Sequence, residues 1–255
     1  TARTLLLTLR ARADEQDRDD PLFADSWSKD WIEFLPEYPD LNHWYETNAT
    51  FRVATVVRTR LIDEAVRNWL KGKKKALVVE LGAGLSTRYF RIDPQNATWV
   101  EQDLDKAIAL RNKFDMAIDE HWFLSGDFTA LDWIERLPES KPENTLFIAE
   151  GVLMFADPEG VARLFNALRE QYPGAGFIFD VVNPGYIQRA ADDFAGMQAP
   201  MRWGVTEDEL TNYGVTVKDR THLLLEFPDR WDEIGITADK RSAARSGYVV
   251  VAELA

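Results

Sequence analysis

The segment Glu80-Leu81-Gly82-Ala83-Gly84-Leu85-Ser86-Thr87 leaves an apolar run, 76–81, and enters a pair of glycines. A residue without a Cβ lets the backbone turn sharply and lets a ligand come close, and in an open α/β sheet ligands collect beyond the carboxyl ends of the strands. This turn is therefore where a nucleotide-like cofactor would lie. Three acids follow, each just after another short apolar run: Asp103, Asp127 and Glu150. Asp103 stands 21 residues beyond Gly82, a spacing that suits a carboxylate accepting from both hydroxyls of a ribose. Asp127 can accept from an adenine amino group while Phe128 covers the ring. One acid at a strand end is commonplace; three at successive strand ends point to a shared crevice.

Such a crevice needs a parallel sheet, and the apolar runs supply one. Segments 76–81, 97–100, 121–124, 145–149 and 177–179 are short, rich in β-branched or aromatic residues, and spaced as βαβ units require. Leu77-Val78-Val79 and Leu146-Phe147-Ile148 read as strands buried on both faces. Upstream, Val57, Leu61, Ile62, Ala65, Val66 and Trp69 fall at helical spacing, and Gly72 stops that helix. The lysines at 71, 73, 74 and 75 complement its dipole. Asp157-Pro158-Glu159 opens another helix, whose Val161, Leu164, Phe165 and Leu168 share one face, and Thr206 with Glu209 forms a capping-box pattern. Toward the end, 223–225 and 248–251 read as two strands that close the sheet as an antiparallel pair. Residues 1–70, with Trp27, Trp31, Trp44 and Tyr45 among many charges, read as a helical cap, and 71–255 as the cofactor-binding domain.

Composition narrows the function. The chain has 255 residues, 45% apolar and 29% charged, and a net charge of −13, a field that repels phosphate backbones and anionic lipid. Nucleic acid and membranes are poor partners, and no run approaches a bilayer span or a signal peptide. There is no cysteine, and His43, His121 and His222 lack metal-site spacing, so no metal is expected. A cytoplasmic enzyme with a small-molecule substrate fits.

Two cofactor classes compete for the glycine turn. A dinucleotide fold wants G-x-G-x-x-G, and here Thr87 stands at the third glycine position. E-L-G-x-G instead resembles the first motif of class I S-adenosylmethionine-dependent methyltransferases, whose cofactor has no pyrophosphate. The likeness goes further. Glu80 to Arg91, Trp99-Val100-Glu101-Gln102-Asp103-Leu104 and the run from Leu146 to Phe155 resemble the leucine carboxyl methyltransferase family, including its tetracenomycin-type polyketide O-methyltransferase branch. Thr4-Leu5-Leu6-Leu7 through Arg12-Ala13, Asp20-Pro21-Leu22 and Trp203-Gly204 match that branch too, while Ser86 stands where the family usually has Asp.

The resemblance implies an α/β fold of the class I, Rossmann-like kind: a mostly parallel seven-stranded sheet with an antiparallel C-terminal strand and an N-terminal helical cap. It implies S-adenosylmethionine as cofactor, with Arg58 on the methionine carboxylate and Glu80, Gly82 and Gly84 at the cofactor turn. Asp103 would take the ribose, Asp127 and Phe128 the adenine, and Glu150 the neighbourhood of the methionine ammonium. Arg60 competes with Arg58, but two residues apart on a helix they point about 200° apart, so only one can face the cavity. The implied reaction is methyl transfer to a hydroxyl or carboxylate oxygen of a polyketide-like or other secondary metabolite. The alternatives are carboxyl methylation of a protein or peptide C-terminus and, from another class, an NAD-dependent oxidoreductase. Tyr186, Arg189 and Trp203 follow the fifth strand, where such folds meet the acceptor, and Asp180 ends that strand. A carboxylate acceptor needs no general base; a phenol or alcohol would benefit from one, for which His43, His222 and Tyr186 are the few candidates.

Overall fold

The computed structural model describes residues 4–94, 96–189, 199–237 and 239–255; Thr1–Arg3 of the expected cap lie outside the described residues. Seven strands form one sheet: β1 (Leu77–Leu81), β2 (Thr98–Asp103), β3 (His121–Ser125), β4 (Thr145–Ala149), β5 (Gly176–Val182), β6 (Val215–His222) and β7 (Gly247–Leu254). Their order is β3-β2-β1-β4-β5-β7-β6, with β7 antiparallel to both neighbours and the first five strands parallel. Every residue of β1, β4 and β5 is buried, as continuous apolar runs require. The order reverses between β1 and β4, which opens a crevice at the carboxyl ends of those strands.

Pairing register sets the contents of that crevice. Leu81 pairs with Gln102 and Ala149, and Ala149 with Phe179. One residue further along, Gly82, Asp103, Glu150 and Asp180 therefore stand in a single row across four strands.

The two faces of the sheet are covered separately. Helix α4 (Ala49–Leu70), capped by the Asn48 carboxamide accepting from Phe51 N–H, lays Val57, Ile62, Val66 and Leu70 over Val78, Leu146, Ile148 and Ile178. Helix α7 (Pro158–Gln171) lays Leu164, Phe165 and Leu168 over Phe147, Phe177 and Phe179 on the other face. Helices α1 (Thr4–Glu15), α2 (Ser26–Ile32) and α3 (Pro39–Thr47) lie upstream of α4. Leu9 of α1 and Trp31 of α2 close over Leu85 in the glycine loop. None of the described helices is long and apolar enough to cross a membrane.

The structure corrects the reading of the last strands. Segment 223–225 is a single 3-10 turn, and the strand beside β7 is the preceding β6. That strand lies at the sheet edge with most of Val-Thr-Val-Lys-Asp-Arg-Thr-His exposed or half-exposed, so it carries no apolar run, whereas Leu223 is buried because it plugs the core under α4. The Thr206–Glu209 capping box forms as read. Asp157 precedes α7, but its carboxylate pairs with Arg202 at 3.0 Å instead of capping the helix.

Phe165 is fully buried and meets Phe179 edge-on at 5.4 Å between ring centroids. Phe165→Ala should cost about 3–5 kcal/mol of unfolding free energy, measured by urea denaturation, because α7 cannot collapse onto the space left.

Candidate active site

The glycine turn is built around its missing side chains. Gly82 has φ +59°, and a Cβ there would fall 2.2 Å from Cγ2 of Val152. Gly84 has φ +55° and lies against Leu5 of α1, 3.3 Å from where its Cβ would be. The loop is pinned by Asp103, whose carboxylate accepts from Gly84 N–H at 2.7 Å and from Leu104 N–H at 2.6 Å. Burial raises the Asp103 pKa above the ordinary aspartate value, with these two backbone donors opposing the rise. From below, Arg111 of α6 (Asp105–Arg111) donates to the Gly84 carbonyl at 3.3 Å and pairs with the buried Glu101. On β2, Gln102 donates to the Gly126 carbonyl and holds the next turn, where Asp127 accepts from Thr129 N–H and Oγ1 at 2.8 Å each.

The loop is also tied to the upstream helices. Thr87 Oγ1 donates to Asp25 at 2.6 Å, and Arg12 of α1 donates to the Leu85 carbonyl at 2.6 Å. Residue 86, where Asp was the family expectation, takes no part in those two ties. The Arg12 guanidinium is buried, with Nε 3.4 Å from the Asp25 carboxylate, and its pKa is lowered to about 10, first by desolvation and next by Arg91.

Beside the turn lies a buried chain of charges. Arg88, the first residue of α5 (Arg88–Arg91), has no solvent exposure and touches three carboxylates: Asp63 of α4 at 2.9 Å, Glu80 of β1, and Glu150 after β4. Glu150 also accepts from Arg58 Nε at 3.1 Å and Thr59 Oγ1 at 3.0 Å. Arg58 continues to Asp180 through Nη1 at 3.3 Å, and Asp180 accepts from Gly151 N–H at 2.6 Å. Burial alone would raise the Glu150 pKa, but Arg88, Arg58, Arg91 and Arg12 together hold it far below the ordinary glutamate value. Burial raises Asp180 and Glu80 instead, against the pull of Arg58 and Arg88 respectively. One oxygen of Glu80 has no hydrogen-bond partner among the described residues. Arg60, the competitor of Arg58, turns away to the Leu22 carbonyl and Glu64.

Part of this network lines one cavity of about 1190 Å³, while Arg88 and Asp63 lie behind its wall. Gly82, Gly84, Asp103 and Asp127 line one part, and Arg12, Arg58, Glu80, Glu150 and Asp180 another. A third part is mainly apolar, with Phe51, Phe155, Tyr186, Met201, Leu224 and Ile236. Arg189 also lines the cavity and donates to the Arg245 carbonyl at 2.9 Å. Two sequence candidates lie elsewhere. Trp203 is buried in the core, its Nε1 donating to Tyr213 Oη at 2.8 Å, and Phe128 packs into the same core and does not line the cavity. Trp27, Trp31, Trp44 and Tyr45 do not line it either, nor do the three histidines. Sequence reasoning missed Arg12 and Arg88. The signal for Arg88 was the crowd of acids at the strand ends, which cannot be buried without counter-charge.

The leucine carboxyl methyltransferase family model matches residues 5–169, and the chain belongs to that family. It is 26% identical over 205 residues to the tetracenomycin polyketide synthesis O-methyltransferase TcmP of Streptomyces glaucescens, covering 79% of this chain and 74% of that one. It is 27% identical over 191 residues to a candidate S-adenosyl-L-methionine-dependent methyltransferase of Mycobacterium avium, covering 72% of this chain and about half, 53%, of the relative. The fold matches the crystal structure of a candidate methyltransferase from Thermobifida fusca with a TM-score of 0.64 at 14% identity, over 98% of this chain and 94% of that one. The chain is thus an S-adenosylmethionine-dependent methyltransferase, which sets aside the dinucleotide reading. Its residues suit that cofactor: the Gly82 cradle would be filled by any Cβ, and buried cations and carboxylates face the same cavity.

Two outcomes follow from this geometry. Gly82→Ala forces either Val152 or the turn to shift, and calorimetric titration should show S-adenosylhomocysteine binding weakened at least tenfold. Glu150, with its pKa depressed on folding, adds stability that is complete above the ordinary carboxylate range and fades as pH falls through and below it. Glu150→Gln should therefore cost about 3–5 kcal/mol at pH 7 and lose less on acidification to pH 3 than the parent does, as followed by thermal melts.

Proposed function

We propose that the chain transfers a methyl group from S-adenosylmethionine to an oxygen, hydroxyl or carboxylate, of a small secondary metabolite of the polyketide kind. The observation that carries this reading is the single cavity in which the glycine turn and charge row continue into an apolar part. Its volume of about 1190 Å³ exceeds the ordinary range for one small ligand, about 300–1,000 Å³. That supports a cofactor and an acceptor side by side. The relative from Streptomyces glaucescens is named for O-methylation in polyketide synthesis, which supports the same class of acceptor.

When bound, the cofactor supplies an electrophilic methyl group on a sulfonium; the chain's own work is alignment and exclusion of water. We assign Asp103 to the ribose hydroxyls, since its carboxylate is already fixed by two backbone donors at the mouth of β2. Asp127 is assigned to the adenine edge, and Arg58, with Arg12 nearby, to the methionine carboxylate. Glu150 is saturated by Arg58, Thr59 and Arg88, so its part is to hold those cations as well as to add negative potential near the ammonium. Tyr186 and Arg189 are assigned to the acceptor; Trp203, buried in the core, is not.

Of the candidate bases Tyr186 lines the cavity and no histidine does; a phenol is a poor proton acceptor near neutral pH, which favours an acceptor oxygen that is ionised before it enters, such as a carboxylate or an acidic phenol. Methyl transfer from labelled S-adenosylmethionine to a panel of aromatic carboxylic acids and phenols tests the reading. The expected result is transfer to an oxygen that follows the acceptor's own ionisation; no transfer to any oxygen acceptor, or transfer to nitrogen or carbon alone, would overturn it. Asp103→Ala should weaken cofactor binding by a factor of ten to a hundred and leave the thermal melt of the ligand-free protein within a few degrees.

A further inference from the structure

We propose that Asp180 is a positioning residue of the cofactor site, the counter-charge that fixes the Arg58 guanidinium so that its free edge faces the cavity. The inference rests on the assignment of Arg58 to the methionine carboxylate. Arg58 spends Nε on Glu150 at 3.1 Å and Nη1 on Asp180 at 3.3 Å, and no acceptor among the described residues takes Nη2. Two carboxylates on adjacent strands, Glu150 after β4 and Asp180 in β5, thus grip two corners of a planar group, which fixes the third corner as well. Nη2 together with the second hydrogen of Nη1 is where a ligand carboxylate can make a paired contact.

Asp180 also fixes the turn that leaves room for this arrangement. Its other oxygen accepts from Gly151 N–H at 2.6 Å, and Gly151 has φ +65° with the Arg58 guanidinium packed against it. A Cβ on residue 151 would lie 2.9 Å from Arg58 Nη2. Asp180 therefore holds the arginine and, through the Gly151 amide, the backbone on which that arginine rests. Both oxygens already have donors and the carboxylate is buried, 3% exposed, an arrangement suited to holding a neighbour and ill suited to accepting a proton from an acceptor.

The test is a thermodynamic cycle on two ligands. S-Adenosylhomocysteine carries the amino-acid portion, and 5′-methylthioadenosine has the adenosyl thioether without it. Calorimetry should show Asp180→Asn weakening S-adenosylhomocysteine about tenfold while 5′-methylthioadenosine changes less than twofold. Arg58→Gln should show the same split, and the double variant should bind no more weakly than Arg58→Gln alone, since Asp180 acts only through that arginine. The double variant buries no unpaired charge, so its comparison with Arg58→Gln decides the matter even where Asp180→Asn alone does not fold. Additive losses, equal weakening of both ligands, or a fall in kcat with S-adenosylhomocysteine affinity intact would each overturn the proposal. Failure of the parent protein to bind S-adenosylhomocysteine would instead overturn the cofactor assignments on which it rests.

Discussion

The arrangement depends on one constraint: a desolvated charge must be met by an opposite charge within hydrogen-bonding distance. Arg88 has no exposed surface and gathers carboxylates from α4, β1 and the end of β4. Removing any one partner leaves charge stranded in a low-dielectric interior, which costs more than a surface pair ever contributes. The helix α5 is only one turn long, so its position is set by this arginine and by Arg91 on Asp63 more than by its own hydrogen bonds. The same ion pairs lock α4 to the sheet on the side where the cavity opens. Structural and functional demands thus fall on the same few residues.

Much of this was legible in the sequence where local pattern carries the information. Buried parallel strands read as apolar runs, clearest in β1, β4 and β5, and the βαβ spacing located β2 and β3 between them, so the acids at the strand ends could be placed from the sequence. Helical periodicity located the face of α4, and the 200° separation of Arg58 and Arg60 left only one of them able to reach the cavity. The edge strand β6 was not legible, because a half-exposed strand of mixed polarity looks like a loop and the three successive leucines just after it, of which only Leu223 is buried, look like a strand. Arg88 was hidden for a different reason. Its partners Asp63, Glu80 and Glu150 lie 25, 8 and 62 residues from it, and no periodicity links them. Trp203 shows a third limit: ring size foretells burial but not which cavity, if any, the ring borders.

The cavity divides its labour by chemistry. The glycine turn and Asp103 are held by backbone amides and by Arg111 beneath, a rigid arrangement with few ways to relax. The apolar part is drawn from helices, turns and the segment between β6 and β7, none of which belongs to the strand ends that carry the acids. Cofactor recognition and acceptor choice are therefore separable: the first is tied to the register of the sheet, the second to what is laid over it.

The Arg12 contact with Leu85 joins residues 73 positions apart. A ribosome delivers α1 well before it delivers the glycine loop, and Leu7 and Leu9 point to different sides of that helix: Leu7 packs with Phe23, Leu41, Tyr45 and Val56, whereas Leu9 meets Trp31 and Leu85. The Leu7 side can dock on the helices that emerge next, while the Leu9 side lacks its Leu85 neighbour until β1 and the following turn are complete. The tie between α1 and the glycine loop is consequently made later than the contacts within the cap, although one of its pieces is made early.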